Sequence, residues 1–315
     1  MNVQKVISVS PRGFCAGVDR AVKAVEDTIE IFGAPVFVKH QIVHNKYVVE
    51  ALEKKGAVTI ESVSEIPDGG VAVFSAHGSP PAHFTEARSR GIRVIDATCP
   101  LVTKVHLEMQ RFLRDGFEVV YIGHLGHIEG IGVIAESTEK DIPIVETAED
   151  VEKLEIGNPE KLAYLTQTTL SVSDTGIVIE ALQKKYPQIV APPLSDICYA
   201  TTNRQEAILG LAKVSDLVLI LGSQSSSNST RLMETVRDAG CTAYLIDDIG
   251  QLDQAWLESV SIVGLSAGAS VPEHLVRAAR EYFVSRGATA EELSVRSEQM
   301  EFAEPLDLMN VRKKR

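Results

Sequence analysis

Residues 92–112 read IRVIDATCPLVTKVHLEMQRF. The β-branched run Ile92–Ile95 predicts a short strand. A helix is predicted after Cys99, because apolar residues recur at helical spacing until Gly116, a residue type that commonly ends helices. These apolar positions are Val102, Val105, Met109 and Phe112. The cysteine therefore stands where a strand gives way to a helix, and the start of a helix stabilises a negatively charged thiolate.

Two further cysteines occupy the same kind of position. Cys15 follows the apolar run Val6–Val9, and Cys198 follows Ile189 and Val190 after a looser Pro192-Pro193 turn. Helical patterns come next in both cases: Val18, Val22, Val25 and Ile29 up to Gly33, and then Ile208 and Leu211. The chain thus contains an approximate internal repeat, which predicts three similar α/β units.

Two strands are predicted downstream of each cysteine, and each is followed by polar residues. The strands are 35–38 and 71–74, 119–122 and 162–165, and 217–221 and 261–265. The polar residues that follow them are His44 and His77, His127 and Thr168, and Asn228 and Ser270, at similar distances from their cysteines. Strands that alternate with helices form parallel sheets, and ligands bind beyond the carboxyl ends of such strands.

We therefore predict an α/β fold of three similar units in a pseudo-threefold, trefoil arrangement, with the cysteines facing one central cavity. The first unit is predicted to span residues 17–98 and the second 99–196. Residues 1–16 together with 197–285 form the third, and 286–315 form a carboxyl-terminal tail. The basic cluster Arg312–Arg315 is typical of a solvated tail.

Composition narrows the classes of protein. The chain has 315 residues, of which 44% are hydrophobic and 23% charged, so it is globular rather than disordered. Its net charge of −12 argues against nucleic acid as a partner, because binding phosphates needs a basic face. The sequence has no signal-peptide pattern and no apolar run of about 18 residues, so we expect a cytoplasmic protein without a membrane partner.

The four cysteines are too few and too scattered for a disulfide framework, and none forms a Cys-x-x-Cys pair. A buried structural thiol is the usual role of a single cysteine. Because Cys15, Cys99 and Cys198 share one position in the repeat, we favour metal ligation for these three. Three thiolates suit a 4Fe-4S cluster with an open iron, and zinc with a water ligand is the alternative. Cys241 lies outside the repeat and is assigned a structural role.

Polar loops at the strand ends are suited to an anion. His44, His77 and His127 could carry charge near neutral pH and hold a phosphate. The runs Ser223–Ser229 and Ser266–Ser270 each follow an apolar strand, where hydroxyl, amide and backbone N–H groups form an anion-binding nest. Neither run has the ending of a Walker loop.

Glu129 is the carboxylate of the loop that contains His127. Beside a redox centre it could deliver the protons that a reductive elimination consumes, positioned by a neighbour such as Thr168. Glu129 is therefore our candidate for proton transfer.

Five segments resemble motifs of the 4-hydroxy-3-methylbut-2-enyl diphosphate reductase family. They are PRGFCAGV at 11–18, DATCPLV at 96–102, TQTT at 166–169, DICYATTNRQ at 196–205 and SSN at 226–228. The resemblance extends over residues 6–275 and includes all three repeat cysteines.

The resemblance implies a three-lobed fold around one 4Fe-4S cluster per chain and the last step of the methylerythritol phosphate route to isoprenoids. Two electrons and two protons would convert the allylic alcohol diphosphate into isopentenyl and dimethylallyl diphosphates and water. The electron donor would be a ferredoxin or a flavodoxin. The residues that match diphosphate-binding positions are His44, His77, Ser226, Ser227, Asn228 and Ser270. By the same matching, His127 contacts the substrate, Glu129 relays protons and Thr168 supports the relay.

The chain departs from the family in one loop. Where the family commonly has His-Pro-Glu-Val, this chain reads His127-Ile128-Glu129-Gly130. Loss of the proline and gain of a glycine predict a less rigid loop, in which Glu129 reaches its working geometry when substrate binds.

Two other functions fit parts of the pattern. A zinc hydrolase that acts on a phosphorylated metabolite would use the same Cys, His and Glu residues, but it would lack the brown colour of an iron-sulfur protein. A cluster-containing sensor would need an output surface, and the sequence has no helix-turn-helix, basic stripe or appended domain.

Overall fold

The computed structural model describes residues 2–314. Met1 and Arg315, the outermost residues of the predicted segments 1–16 and 286–315, lie outside the described residues. The strands are β1 Lys5–Ser10, β2 Val36–Lys39, β3 Ala57–Ile60, β4 Val71–Phe74, β5 Arg93–Asp96, β6 Glu118–Ile122, β7 Ile144–Val145, β8 Leu162–Thr166, β9 Leu217–Leu221, β10 Thr242–Ile246, β11 Ile262–Ala267 and β12 Thr289–Ser294. The helices are α1 Ala16–Phe32, α2 Lys46–Glu53, α3 Pro81–Ser89, α4 Pro100–Arg114, α5 Ile128–Ile134, α6 Ala148–Lys153, α7 Val172–Lys185, α8 Tyr199–Ala212, α9 Ser227–Asp238, α10 Glu273–Val284 and α11 Leu306–Lys314.

All paired strands among residues 2–314 belong to three parallel sheets, which confirms the predicted α/β class with three similar units. The strand orders are β3-β2-β4-β5, β7-β6-β8 and β10-β9-β11-β1-β12. Every strand pair within these sheets is parallel. The strand β9, with sequence LVLIL, is buried along its whole length, as expected for a parallel strand covered on both faces.

The chain divides into two compact units. Unit 1 contains residues 1–18, 44–48 and 199–301, and its sheet is the five-stranded one. Unit 2 contains residues 19–43, 49–198 and 302–315, with the four-stranded and three-stranded sheets. The boundaries predicted for three separate domains stay a prediction.

Two of the sheets place the strand that leads to a cysteine beside the last strand of its group. In unit 2, β5 pairs with β4 and leads to Cys99. The run before Cys198 forms only an isolated bridge from Val190 to Ala163 in β8, not the predicted strand. In unit 1, β1 pairs with β11 and leads to Cys15. The five-stranded sheet is therefore completed by the amino-terminal strand.

The strands that sequence patterns did not predict are edge strands. β3, β7, β10 and β12 each lie at the border of a sheet. Their burial is interrupted, and β12, with sequence TAEELS, is largely exposed. These four strands are partly exposed, so they show no continuous apolar run, whereas the edge strand β8 is buried along its whole length and was predicted.

The segment after residue 286 is part of the fold and is not a free solvated tail. Its first part forms β12, which pairs with β1 in unit 1. Its last part forms α11 in unit 2, where Leu308 is fully buried and Asp307 accepts a hydrogen bond from the Asp96 N–H (3.1 Å). Arg312 forms an ion pair with Asp27 (2.8 Å). No helix among residues 2–314 is long and apolar enough to cross a membrane.

Candidate functional site

The three repeat cysteines are held by equivalent backbone hydrogen bonds. In each case the cysteine N–H donates to a carbonyl two residues beyond the end of the neighbouring strand, and the cysteine directly precedes a helix. The donor and acceptor pairs are Cys15 and Ala269 (3.3 Å), Cys99 and Ala76 (3.0 Å), and Cys198 and Thr168 (3.0 Å). The equivalence predicted from sequence spacing therefore extends to the backbone.

The chemistry of these residues fits an iron-sulfur cluster. All three thiols are free of disulfides and partly buried. Each lies at the amino-terminal end of a helix, where free N–H groups favour a thiolate ligand. Within the described ranges, no group of three or more His, Cys, Asp or Glu converges on a single metal ion. Three cysteine thiolates would instead suit a 4Fe-4S cluster, in which each thiolate binds a separate iron.

Cys241 has a different environment. Its thiol points toward the Ser215 carbonyl (3.5 Å), and the side chain packs against the apolar core of unit 1. Burial raises the pKa of the Cys241 thiol, which disfavours a thiolate ligand. This environment agrees with the structural role expected for Cys241.

A buried arginine secures the turn that carries Cys15. Arg204 on α8 is fully buried and donates to the carbonyls of Gly13 (2.8 Å) and Phe14 (3.3 Å). It also binds the Glu298 carboxylate (3.1 Å). Because the sequence motif around Cys198 contains Arg204, one residue of this motif holds the Cys15 turn.

We expect Arg204→Met to lower the free energy of unfolding by about 3 kcal/mol, because Glu298 and two carbonyls lose a buried donor. Urea denaturation followed by circular dichroism measures the change. Arg114→Met is the control, since the Arg114 side chain is 73% exposed and pairs with Asp115 at the surface (3.6 Å). Equal denaturation midpoints for the two variants would show that the Arg204 network is dispensable.

Several residues predicted to bind the diphosphate lie together beyond the carboxyl ends of β9 and β11 in unit 1. The α9 helix begins at Ser227, and the Ser226 hydroxyl caps it by accepting the Ser229 N–H (3.4 Å). Asn228 on the first turn accepts the Ala269 N–H through Oδ1 (2.8 Å). The next residue, Ser270, donates its hydroxyl to the His44 carbonyl (3.1 Å). These bonds connect the loops after β9 and β11 with the segment that contains His44.

The Asn228 side chain is the best-defined donor of this group. Because Oδ1 accepts the Ala269 N–H, the orientation of the carboxamide is determined. The Nδ2 group is buried and has no hydrogen-bond partner in the part of the chain that the structure describes. A buried donor without a partner is costly, and an anionic oxygen would remove this cost.

Two glycines allow α9 to approach the strand ends. A Cβ atom at Gly268 would lie 2.0 Å from Ser229 Oγ, and one at Gly222 would lie 2.3 Å from the same atom. Both distances are far inside van der Waals contact. The glycines therefore allow the start of α9 to lie against the ends of β9 and β11.

Glu129 and Thr168 form a buried pair in unit 2. The Glu129 carboxylate accepts the Thr168 N–H through Oε1 (2.7 Å) and the Thr168 hydroxyl through Oε2 (2.7 Å). Glu129 is only 2% exposed. Its own N–H donates to Nδ1 of His127, the residue that caps α5 (3.2 Å). Both side chains predicted to relay protons are therefore in direct contact.

Burial raises the pKa of Glu129 to about 7. The two bonds from Thr168 and the positive field of His106 lower the pKa, whereas the negative field of Asp196 raises it. Desolvation is the largest effect, because a buried carboxylate loses its hydration. Glu129 can therefore hold a proton near neutral pH and release it, as a general acid must.

The segment that departs from the family motif is helical. Residues 128–134 form α5, which His127 caps, and the buried Glu129 carboxylate contacts the Thr168 hydroxyl. The lower rigidity expected from Gly130 stays a prediction.

A family model described as LytB protein matches residues 6–283. The chain belongs to the LytB family. Among curated LytB relatives, a protein of Enterobacter sp. (strain 638) named 4-hydroxy-3-methylbut-2-enyl diphosphate reductase is 52% identical over 275 residues, or 87% of each chain. A protein of Chromohalobacter salexigens with the same name is 50% identical over 303 residues, covering 95% of this chain and 96% of the relative.

Solved structures support the same family. The E-1-hydroxy-2-methyl-but-2-enyl-4-diphosphate reductase of Plasmodium falciparum is 36% identical to this LytB chain, with a TM-score of 0.94 over 99% of both chains. A structure described as (E)-4-hydroxy-3-methyl-but-2-enyl diphosphate reductase, the terminal enzyme of the non-mevalonate pathway, is 30% identical, with a TM-score of 0.63 over 90% of this chain and all of that one.

Two further predicted residues, His77 and His127, lie beside each other in unit 2. The rings of His77 and His127 are in edge-to-face contact, with centroids 6.3 Å apart. The Ser75 hydroxyl lies 3.2 Å from Nδ1 of His77. The contact joins two loops of unit 2 whose histidines were predicted separately.

The repeat register differs from the predicted one at Thr168. In the structure, Thr168 corresponds to Ala76 and Ala269, the carbonyls that bind cysteine N–H groups, whereas Thr169 corresponds to His77 and Ser270. The sequence spacing predicts instead that Thr168 is the residue equivalent to His77 and Ser270 in the repeat. Counting along the sequence misses this shift, because the loops between the strands differ in length.

Asp196 has a structural role that the sequence motif did not reveal. Its carboxylate accepts the Thr166 N–H (2.9 Å) and binds Lys104 (2.8 Å). It therefore fixes the end of β8, from which Thr168 follows. The only sequence signal was the aspartate that precedes both Cys99 and Cys198.

Proposed function

We propose that this chain is an iron-sulfur reductase that converts (E)-4-hydroxy-3-methylbut-2-enyl diphosphate into isopentenyl and dimethylallyl diphosphates. Two electrons and two protons are consumed, the allylic C–O bond breaks, and the oxygen leaves as water. This is the last step of the methylerythritol phosphate route. The observation that carries the proposal is the buried Glu129–Thr168 pair in a LytB-family chain, because a dehydroxylation needs an acid near neutral pH.

We propose that Cys15, Cys99 and Cys198 hold one 4Fe-4S cluster. When bound, such a cluster supplies electrons and an open iron that can act as a Lewis acid toward the substrate hydroxyl. The proposal is supported by the equivalent positions of the cysteines, each before a helix and each with the same backbone bond.

We propose that the diphosphate is bound by the polar residues that match the family positions, His77 among them. His44, Ser226, Ser227, Asn228 and Ser270 lie at or beside the start of a helix or the end of a strand, where hydroxyl, amide and N–H groups bind phosphate oxygens. The unpartnered Asn228 Nδ2 supports this assignment. His127 is assigned to contact the substrate from the loop that carries Glu129.

Protons reach the substrate through Glu129 and Thr168. When Glu129 is ionised, its Oε2 accepts the Thr168 hydroxyl proton. When Glu129 is protonated, the carboxylic acid can donate to the same hydroxyl oxygen, which frees the threonine to pass its own proton onward. Burial of the pair excludes water from this exchange.

The partners follow from the same chemistry. Electrons are proposed to come from a ferredoxin or a flavodoxin, and the reaction is proposed to take place in the cytoplasm. The net charge of −12 supports the expectation that nucleic acid is not a partner.

Anaerobic purification with iron and sulfide quantitation tests the proposal, followed by addition of the allylic diphosphate and a reduced viologen. We expect about four irons per chain and substrate-dependent oxidation of the viologen. Zinc without sulfide would indicate the hydrolase. An intact cluster without consumption of reductant would indicate a sensor.

Asn228→Asp tests the diphosphate assignment. The aspartate can still accept the Ala269 N–H, but its second oxygen would be an anion facing another anion. We expect KM for the diphosphate to rise roughly 100-fold, because juxtaposed like charges cost several kcal/mol. Asn158→Asp, the same change at an exposed residue, is the control. An unchanged KM in Asn228→Asp would remove Asn228 from the binding site.

A further inference from the structure

Tyr121 on β6 is a fully buried phenol that the proposed mechanism does not use. Its hydroxyl makes no hydrogen bond of ordinary length and angle among residues 2–314. A buried tyrosine hydroxyl normally finds a partner, since leaving it without one costs free energy. This exception lies on the strand that leads into the Glu129 loop.

Two glycines make room for the ring of Tyr121. A Cβ atom at Gly123 would lie 2.6 Å from Tyr121 Cε1, and one at Gly130 would lie 3.1 Å from the same atom. Gly130 directly follows Glu129, at the position where the family motif commonly carries valine. The departure from the motif therefore allows an aromatic ring to lie beside the residue that follows the acid.

The Tyr121 ring packs against Gly130, the residue that directly follows Glu129, and a long hydrogen-bonding interaction with the Glu129 carboxylate contributes to the raised pKa of Tyr121. Burial raises the pKa of Tyr121 well above its ordinary value, and the nearby Glu129 and Asp196 carboxylates raise it further. The phenol is therefore a permanent donor at neutral pH. The other charged groups that influence Glu129 are His106 on α4 and Asp196 before Cys198. His106 is itself paired with Glu136 (2.7 Å), and Asp196 with Lys104.

We propose that Tyr121 is a positioning residue that stabilises the Glu129 carboxylate after it has given up its proton. The inference rests on the proposed function. Among residues 2–314, the short hydrogen bond to Oε2 comes from the Thr168 hydroxyl (2.7 Å), which must turn toward the substrate during proton transfer. Without a second donor, Oε2 would then be a buried anionic oxygen without a partner. The Tyr121 hydroxyl supplies that donor.

Tyr121→Phe keeps the ring and removes the donor. A hydrogen bond to the charged form lowers a carboxyl pKa, so its loss should raise the pKa of Glu129 by about one unit. Infrared difference spectroscopy of the holoenzyme measures this through the carbonyl band of protonated Glu129, which is recognised by its absence in Glu129→Gln. We also expect the acid-dependent limb of the kcat profile to move upward with pH, while KM stays unchanged.

Tyr164→Phe is the matched control. Tyr164 lies on the neighbouring strand β8, is buried, and has a pKa raised by burial and by Asp196 but not by Glu129. The control should leave the Glu129 band and the kcat profile unchanged. If the Glu129 band titrates at the same pH in Tyr121→Phe as in the unmodified enzyme, the inference is wrong.

The infrared titration is independent of turnover, so it separates the two proposals. A displaced titration in a protein without reductase activity would support the role of Tyr121 and contradict the proposed function.

A second pair of variants tests the packing of the Tyr121 ring against Gly130. Gly130→Val should lower the thermal midpoint through its clash with the ring, and Tyr121→Leu in the same chain should restore it. Equal destabilisation of the single and double variants would contradict the proposed fit between the ring and Gly130.

Discussion

Replacing Cys15, Cys99 or Cys198 by serine, one at a time, is expected to reduce reductase turnover more than 100-fold, since even changes outside the ligand shell of a metal typically cost about 10- to 100-fold. A serine hydroxyl is rarely ionised at neutral pH and is a poor ligand for an iron-sulfur cluster. The three variants should behave alike, because the backbone bond and helix position are the same at all three residues.

Cys241→Ser is the matched control for these variants. Its thiol packs against the core of unit 1 and should be dispensable for iron binding. Iron and sulfide quantitation after anaerobic purification checks the ligand assignment separately from turnover. Full iron content in any of the three variants would remove that cysteine from the proposed ligand set.

Glu129→Gln is expected to lower kcat by about 10²- to 10⁴-fold, the usual contribution of a positioned general acid. Glutamine has nearly the same shape, so iron content and KM should change little. It cannot carry the exchangeable proton, and its NH₂ group would face the Thr168 N–H or hydroxyl donor. Turnover with reduced viologen, compared at equal iron content, measures the effect.

Glu108→Gln controls for the removal of a partly buried carboxylate. Glu108 also has a pKa raised to about 7, mainly by burial and by the adjacent Asp196, but it does not contact Thr168. Its replacement should leave kcat within a few-fold of the unmodified enzyme. Full activity of Glu129→Gln would contradict the proton relay, whereas equal losses in the two variants would indicate a general structural effect.

The same carboxyl group should make stability depend on pH. Its pKa is raised from an ordinary value of 4.5 to about 7 on folding. The folded state therefore binds the proton more tightly, and the resulting stabilisation is lost as the pH rises from about 4.5 to 7. Urea denaturation over this range should show a smaller decline in Glu129→Gln than in the unmodified protein.

Much of the fold could be predicted from local patterns. The boundaries of β4 and β9 agree with the predicted strands 71–74 and 217–221, because a strand buried on both faces is a continuous apolar run. The position of each cysteine between a strand and a helix is equally local. Edge strands such as β10 and β12 were missed, because a partly exposed strand has a mixed composition.

The residue types of the site could be predicted in the same way, since the motifs contain Glu129, Thr168 and Asn228 within short segments. Their working states depend on contacts between segments far apart in the chain. Glu129 has a raised pKa because distant segments remove water from it, and the orientation of Asn228 depends on the Ala269 N–H. The sequence does not reveal the role proposed for Tyr121, because that role depends on the close approach of its ring to Gly130. Desolvation and close approach are properties of packing, which is why only the tertiary structure reveals them.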